Sequence, residues 1–170
     1  MRRMYPAMVV LLMITVTFLG CSDDKGTNVD QGPLVLSLTP NSVETSVGQG
    51  FEIAIQTVNV SNLFGLSCEV EYDSTKMEAV DVVAGDFLGE NILFFGKVES
   101  GTVSVAVTKT RGTGAVSGSG RLARIAFQSL ATGQSEVAFN RTTLTLRKED
   151  GSDVSGFSGI VLEESSVNIE

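Results

Sequence analysis

Acidic side chains carry most of the reactive chemistry available to this chain, and their spacing limits what they can do. Adjacent acids occur at Asp23-Asp24, Glu149-Asp150 and Glu163-Glu164. Glycoside hydrolysis needs two carboxyl groups facing each other across a cleft, about 5–10 Å apart. Neighbours on a strand point to opposite faces, so Glu163 and Glu164 make a poor acid/base pair. The run Asp150-Gly151-Ser152-Asp153 faintly suggests a calcium loop. It lacks the spacing and terminal glutamate of an EF-hand, and a hairpin turn explains it better. Histidine is absent from all 170 residues, which excludes Ser-His-Asp and Cys-His catalysis and imidazole metal ligation. No metal or cofactor site is expected, and an enzyme is the least supported class.

The two cysteines have different prospects. Arg2 and Arg3 precede an apolar run, Ala7 to Leu19, that ends Thr17-Phe18-Leu19-Gly20-Cys21. A basic head, a short apolar core and a small residue before the cut form a secretory signal. With cysteine as the first mature residue, the segment resembles a bacterial lipoprotein signal, which implies a diacylglyceryl group on the Cys21 thiol. The run is too short to span a bilayer comfortably. Residues 1–20 are therefore read as signal peptide and 21–33 as a polar, flexible tether. Residues 34–170 are read as one domain, secreted and lipid-anchored to the cell membrane or the outer membrane. Cys68 then has no partner in the chain and is expected to be a buried small hydrophobe.

Removal of Arg2 and Arg3 leaves ten Lys/Arg against twenty Asp/Glu. Such a surface repels nucleic acid and anionic headgroups. Tryptophan is absent and Tyr72 is the only tyrosine after the signal, so a flat platform for sugar stacking is poorly supplied. Phe64, Phe87, Phe94 and Phe95 are the rings left near loops. Lys109-Thr110-Arg111 is a short basic spot, either pairing with a partner carboxylate or forming a solvated strand end. Asn59-Val60-Ser61 and Asn140-Arg141-Thr142 match the glycosylation sequon, which a bacterial lipoprotein leaves idle.

The elements that position these groups alternate with period two. Leu66, Cys68, Val70 and Tyr72 interleave with Ser67, Glu69, Glu71 and Asp73. Val103, Val105 and Val107 interleave with Thr102, Ser104, Ala106 and Thr108. Phe51 to Gln56, Ala123 to Gln128, Glu136 to Asn140 and Thr143 to Leu146 behave alike. Such patterns are half-buried strands, separated by turn residues such as Val47-Gly48-Gln49-Gly50 and Glu99-Ser100-Gly101. About nine strands without a sustained helical pattern predict an all-β, antiparallel sandwich. Asp86 to Glu90 is expected to form one helical turn, and Gly112 to Gly120 a glycine-serine loop.

Three ordered stretches are similar to the bacterial cohesin domain. They are Val58-Asn59-Val60-Ser61-Asn62-Leu63-Phe64-Gly65 running into Cys68–Asp73, then Met77 to Phe87 with its Gly85-Asp86 turn, then Gly120 to Phe127 followed by Gly133-Gln134-Ser135-Glu136-Val137. The resemblance implies a jelly-roll β-sandwich related in fold to some carbohydrate-binding modules. It also implies a non-catalytic role: cohesins bind dockerins, small calcium-loaded helical modules often carried by glycoside hydrolases. The family's binding face would here comprise the strand before Tyr72-Asp73 and strands 91–98, 102–110 and 134–140. Its outward positions would be Ser67, Glu69, Glu71, Ser104, Ala106, Thr108, Glu136 and Asn140. A carbohydrate-binding lipoprotein on the same sandwich is the alternative, with polysaccharide as ligand.

Overall fold

The structure is a computed structural model that describes residues 32–154 and 159–170. Cys21, the signal peptide and most of the tether lie outside the described residues. Among the described residues, twelve strands form two sheets: β1 (Leu34–Thr39), β2 (Ser42–Thr45), β3 (Gly50–Leu63), β4 (Gly65–Tyr72), β5 (Met77–Ala84), β6 (Ile92–Glu99), β7 (Thr102–Lys109), β8 (Val116–Ser129), β9 (Gly133–Phe139), β10 (Thr145–Arg147), β11 (Ile160–Glu163) and β12 (Ser165–Ile169). The smaller sheet runs β11-β1-β3-β8-β5. The larger runs β2-β12-β9-β4-β7-β6, with β10 beside β4. Most pairings are antiparallel; β1–β11 and β12–β2 are parallel. The sandwich is the expected one, with more strands than the sequence suggests because β2, β10 and β11 are only three or four residues long.

The inward residues of both sheets make one core. Leu66, Cys68, Val70 and Tyr72 of β4 and Val103, Val105 and Val107 of β7 are buried against Ile53, Ile55, Ile125 and Phe127 of the facing sheet. Phe127 links the layers: its ring stacks on Phe51 at 5.4 Å and meets Tyr72 edge-on at 5.3 Å, an arrangement that suits the ring quadrupoles. The Tyr72 hydroxyl donates to the Glu99 carbonyl at 2.8 Å and accepts from the Ala79 amide at 3.3 Å. Burial pushes the Cys68 thiol up to about 12, with Glu69 adding to the shift. It therefore stays protonated and unreactive at neutral pH.

Three local expectations are corrected. Gly112 to Gly120 is not one loop, because β8 begins at Val116. Its small residues answer to neighbours. Strand β3 bulges opposite this stretch, with Asn59 and Asn62 in the left-handed region. The amides freed there donate to Ser119 Oγ at 3.1 Å and Ser117 Oγ at 2.9 Å. A Cβ on Gly120 would lie 2.6 Å from the Phe87 ring. Asp86 to Glu90 is a tight turn rather than a helical one, closed by the Gly89 amide on Asp86 O, with Gly89 at φ 72°. Lys109 is neither a partner's ion pair nor a solvated end. It is buried, and its Nζ donates to Leu88 O at 2.7 Å, fastening that turn to β7.

Tyr72→Phe keeps the core ring and removes the hydroxyl, leaving the Glu99 carbonyl and Ala79 amide short of a partner. The expected loss is about 1–2 kcal/mol, read from urea unfolding midpoints at unchanged slope; an unchanged midpoint would show that water replaces the hydroxyl at no cost.

Candidate functional site

The outer face of the larger sheet is assembled from β9, β4, β7 and β6. In β4 the apolar residues turn inward and Ser67, Glu69 and Glu71 outward. Pairing with β7 sets Ser67 opposite Ala106, Glu69 opposite Ser104 and Gly65 opposite Thr108. Residues directly opposite in an antiparallel pair share a face, so six of the eight expected positions form one continuous patch. Asn140 joins it from the end of β9: its Nδ2 donates to Glu71 Oε1 at 2.8 Å. Glu136 is exposed but stands one strand over, opposite Ser166 of β12, at the margin of the patch.

Three of the expected residues are committed to internal bonds: Asn140, Thr108 and, through Oε1 alone, Glu71. Asn140 Oδ1 accepts from the Thr142 amide at 3.0 Å and its hydroxyl at 2.6 Å, a local turn of the kind asparagine favours. At this point β9 leaves β4. The Asn140 amide still donates to Glu69 O, while the Glu69 amide donates to Thr143 Oγ1 at 3.2 Å. The ladder then resumes with Thr145 opposite Ser67 in β10. The Thr108 hydroxyl lies within reach of the Phe64 and Lys109 carbonyls. Ser67, Glu69, Glu71, Ser104 and Ala106 are the members best placed to meet a partner.

Sequence reasoning placed strand 91–98, here β6, in the face but named none of its residues among the outward positions. Leu93 lies opposite Thr108 and Phe95 opposite Ala106, so both project from the same face, 63% and 59% exposed. Ile92-Leu93-Phe94-Phe95 is continuously apolar, and period two assigns no face to such a run. Of the four candidate stacking rings, Phe95 alone is largely exposed; Phe87 and Phe94 pack against the core and Phe64 is half-buried. Ala138, opposite Glu71, also escaped notice because it is small. The Asp150–Asp153 run forms a turn: Asp150 Oδ1 accepts from the Ser152 amide and hydroxyl, and Asp153 pairs with Arg147 at 2.8 Å.

A second omission is Glu164. Its carboxyl is raised above the usual range by partial burial, then by a hydrogen bond and repulsion from Glu136, with Arg141 opposing. A group whose folded-state affinity for the proton is raised stabilises the fold at pH below its unfolded value, and that contribution is lost as pH rises through the folded value. Glu164→Gln is therefore expected to raise the melting temperature at neutral pH by roughly 1–2 °C. The advantage should vanish at acid pH, in thermal melts followed across the carboxylate range. Equal gains at both ends of that range would show that the gain does not come from the Glu164 charge.

The pattern that defines the Cohesin domain matches residues 36–161. A non-cellulosomal cohesin from the hyperthermophilic archaeon Archaeoglobus fulgidus is similar at TM-score 0.68 and 17% identity, over 82% of this chain and 92% of that one. The cohesin CaCohA2 from Clostridium acetobutylicum gives 0.66 and 18%, over 82% and 92%. The cohesin of the Coh-OlpC–Doc435 complex, a type I cohesin–dockerin complex from Clostridium thermocellum, gives 0.65 and 18%, over 82% and 94%. No curated protein sequence matches the chain. At these identities the solved structures speak for the fold. The match over 36–161, in a chain whose three ordered stretches sit on β3–β5 and β8–β9, shows that this chain belongs to the cohesin domain family of non-catalytic protein-interaction modules.

Proposed function

We propose that this domain docks a dockerin module of another protein on the outer face of β9-β4-β7-β6, and that a lipid on Cys21 holds it outside the cytoplasm. The observation that carries the docking reading is the face itself. Strands β4 and β7 present serine, alanine, threonine and glutamate in register, a surface low enough for a helix to lie across. The similar Clostridium thermocellum cohesin is seen in complex with a dockerin, which supports the same role here. Glu69, Glu71, Glu136 and Glu164 make the face acidic, suited to basic groups on the partner and to faster encounter at low salt. Polysaccharide binding by the domain itself has the exposed Phe95 ring in its favour. One ring beside a leucine is less than a sugar platform requires, so any role in polysaccharide breakdown belongs to the docked protein.

The test is a charge reversal. Glu69→Lys with Glu71→Lys should weaken binding of calcium-loaded dockerin modules from the source organism by about tenfold or more in surface plasmon resonance. Glu52→Lys, on the opposite sheet beside Arg124, should leave it unchanged. Equal effects from both changes would mean a long-range field without a docking face. The anchor is tested separately. Cys21→Ser should shift the protein from the membrane to the soluble fraction, because stable attachment needs the added acyl chains; retention in the membrane would overturn the lipid reading.

A further inference from the structure

The outer face of the smaller sheet carries an apolar row where the chain enters the domain. In β1, Leu34, Leu36 and Leu38 are buried and Val35 turns outward. Its partners across the sheet are Val58 of β3 and Val161 of β11. Both are exposed, at 37% and 42%, while their neighbours Thr57, Ile160 and Leu162 turn inward. Three valines thus stand side by side, one residue beyond the start of β1. Asn59 Nδ2 donates to the Pro33 carbonyl at 3.5 Å, which ties the entering chain to this end of the face. Beside the row, Arg121 lies opposite Gln56 and Arg124 opposite Ala54. A bulge between them turns Leu122 and Ala123 both inward, so both guanidinium groups reach the outside. Their ion pairs are long and exposed, 3.8 Å to Asp86 and 3.5 Å to Glu52, and such pairs hold a side chain weakly. Other carboxylates of this face stand further from the entry: Glu163 opposite Ser37, Asp81 opposite Ala126 and Glu78 opposite Gln128.

We infer that the Val35-Val58-Val161 row rests on the headgroup layer of the membrane that holds the lipid of Cys21, with Arg121 and Arg124 on lipid phosphates. The inference deepens the anchor reading and rests on it. Residues 22–32 separate Cys21 from Pro33; fully extended, they keep the start of β1 within about 40 Å of the lipid. A contact tethered at such short range operates at high effective concentration, so a small patch suffices. For a second copy of the chain it does not. A stable protein interface takes about 800 Å² from each partner, and three valines with two arginines fall well short. The arginine stems lie along the apolar row while the guanidinium groups meet phosphate oxygens. Glu78, Asp81 and Glu163 oppose anionic lipid, which tilts the domain onto its entry end. The proposed docking face, on the opposite sheet, then looks away from the membrane and stays open to a partner.

The test uses the full lipidated chain with vesicles of phosphatidylethanolamine and one quarter phosphatidylglycerol, prepared with and without a nitroxide on the headgroups. A polarity-sensitive fluorophore is attached at Val161→Cys, and in a second variant at Ser104→Cys on the larger sheet. Cys68 is buried and protonated, so it leaves each label unique. Flotation with the vesicles reports the anchor. The label at 161 should shift to the blue on vesicles and lose fluorescence to the nitroxide; the label at 104 should do neither. Val58→Glu, an exposed position, should abolish both changes at 161 while the chain still floats. A chain that floats without quenching at 161 overturns the contact and leaves the anchor standing. A chain that does not float overturns the anchor and the inference with it. Equal quenching at 161 and 104 means that the domain has no fixed face toward the lipid, and a blue shift at 161 without vesicles assigns the row to a second copy. Either result overturns the inference.

Discussion

The register of β4 is the constraint on which the rest of the molecule depends. This strand bonds to β7 along one side and to β9 and then β10 along the other. A slip of one residue would turn Leu66, Cys68, Val70 and Tyr72 to solvent and drive Glu69 and Glu71 into the core. Burying unpaired carboxylates is far more costly than exposing the apolar set, so only one register is accessible. Tyr72 fixes it again from within, since its ring meets Phe127 of the other sheet while its hydroxyl bonds to the end of β6 and to β5. The core and the proposed docking face are thus two readings of one alternation.

Polar residues on that face divide into those that build it and those left for a partner. Asn140 and Thr143 manage the point where β9 gives way to β10, supplying bonds that a continuous strand would have made. A partner competing for Asn140 would have to break a turn that satisfies both its oxygen and its amide. Ser67, Ser104 and Ala106 carry no such duty and lie side by side. In the proposed docking, the carboxylates beside them would guide encounter and the small side chains would permit close approach, two separable contributions to recognition.

Much of this was legible in the sequence. The alternation in β4 and β7 set both the sandwich and six contiguous positions of the face, because an amphipathic strand states which side is wet. The failures share one cause: composition near a bulge, a turn or an edge reflects a neighbour distant in the chain. The glycine and serine of 117–120 resemble a loop until Phe87 and the β3 bulges are placed against them. Lys109 resembles a surface charge until the Leu88 carbonyl arrives above it. Ile92 to Phe95 is apolar on both sides because Ile92 and Phe94 face the core while Leu93 and Phe95 stand on the outer face of the sheet. Glu164 drew attention only as the neighbour of Glu163, whereas the carboxyl it meets is Glu136, 28 positions earlier.

The two large apolar side chains of the outer face, Leu93 and Phe95, stand on the edge strand β6. Edge strands with one ladder partner fray more readily than central ones. Here β5 lies close behind β6. The approach is so tight at Gly96 that a Cβ there would fall 2.5 Å from Val82 Cγ1 and 3.0 Å from the Phe94 ring. Phe94 and Ile92 pack against the core while Phe95 and Leu93 look outward, so the strand is held by its buried neighbours rather than by a second ladder. A partner on the proposed docking face would therefore meet Leu93 and Phe95 already in place. That reduces the ordering cost that usually offsets apolar contact at a flexible edge.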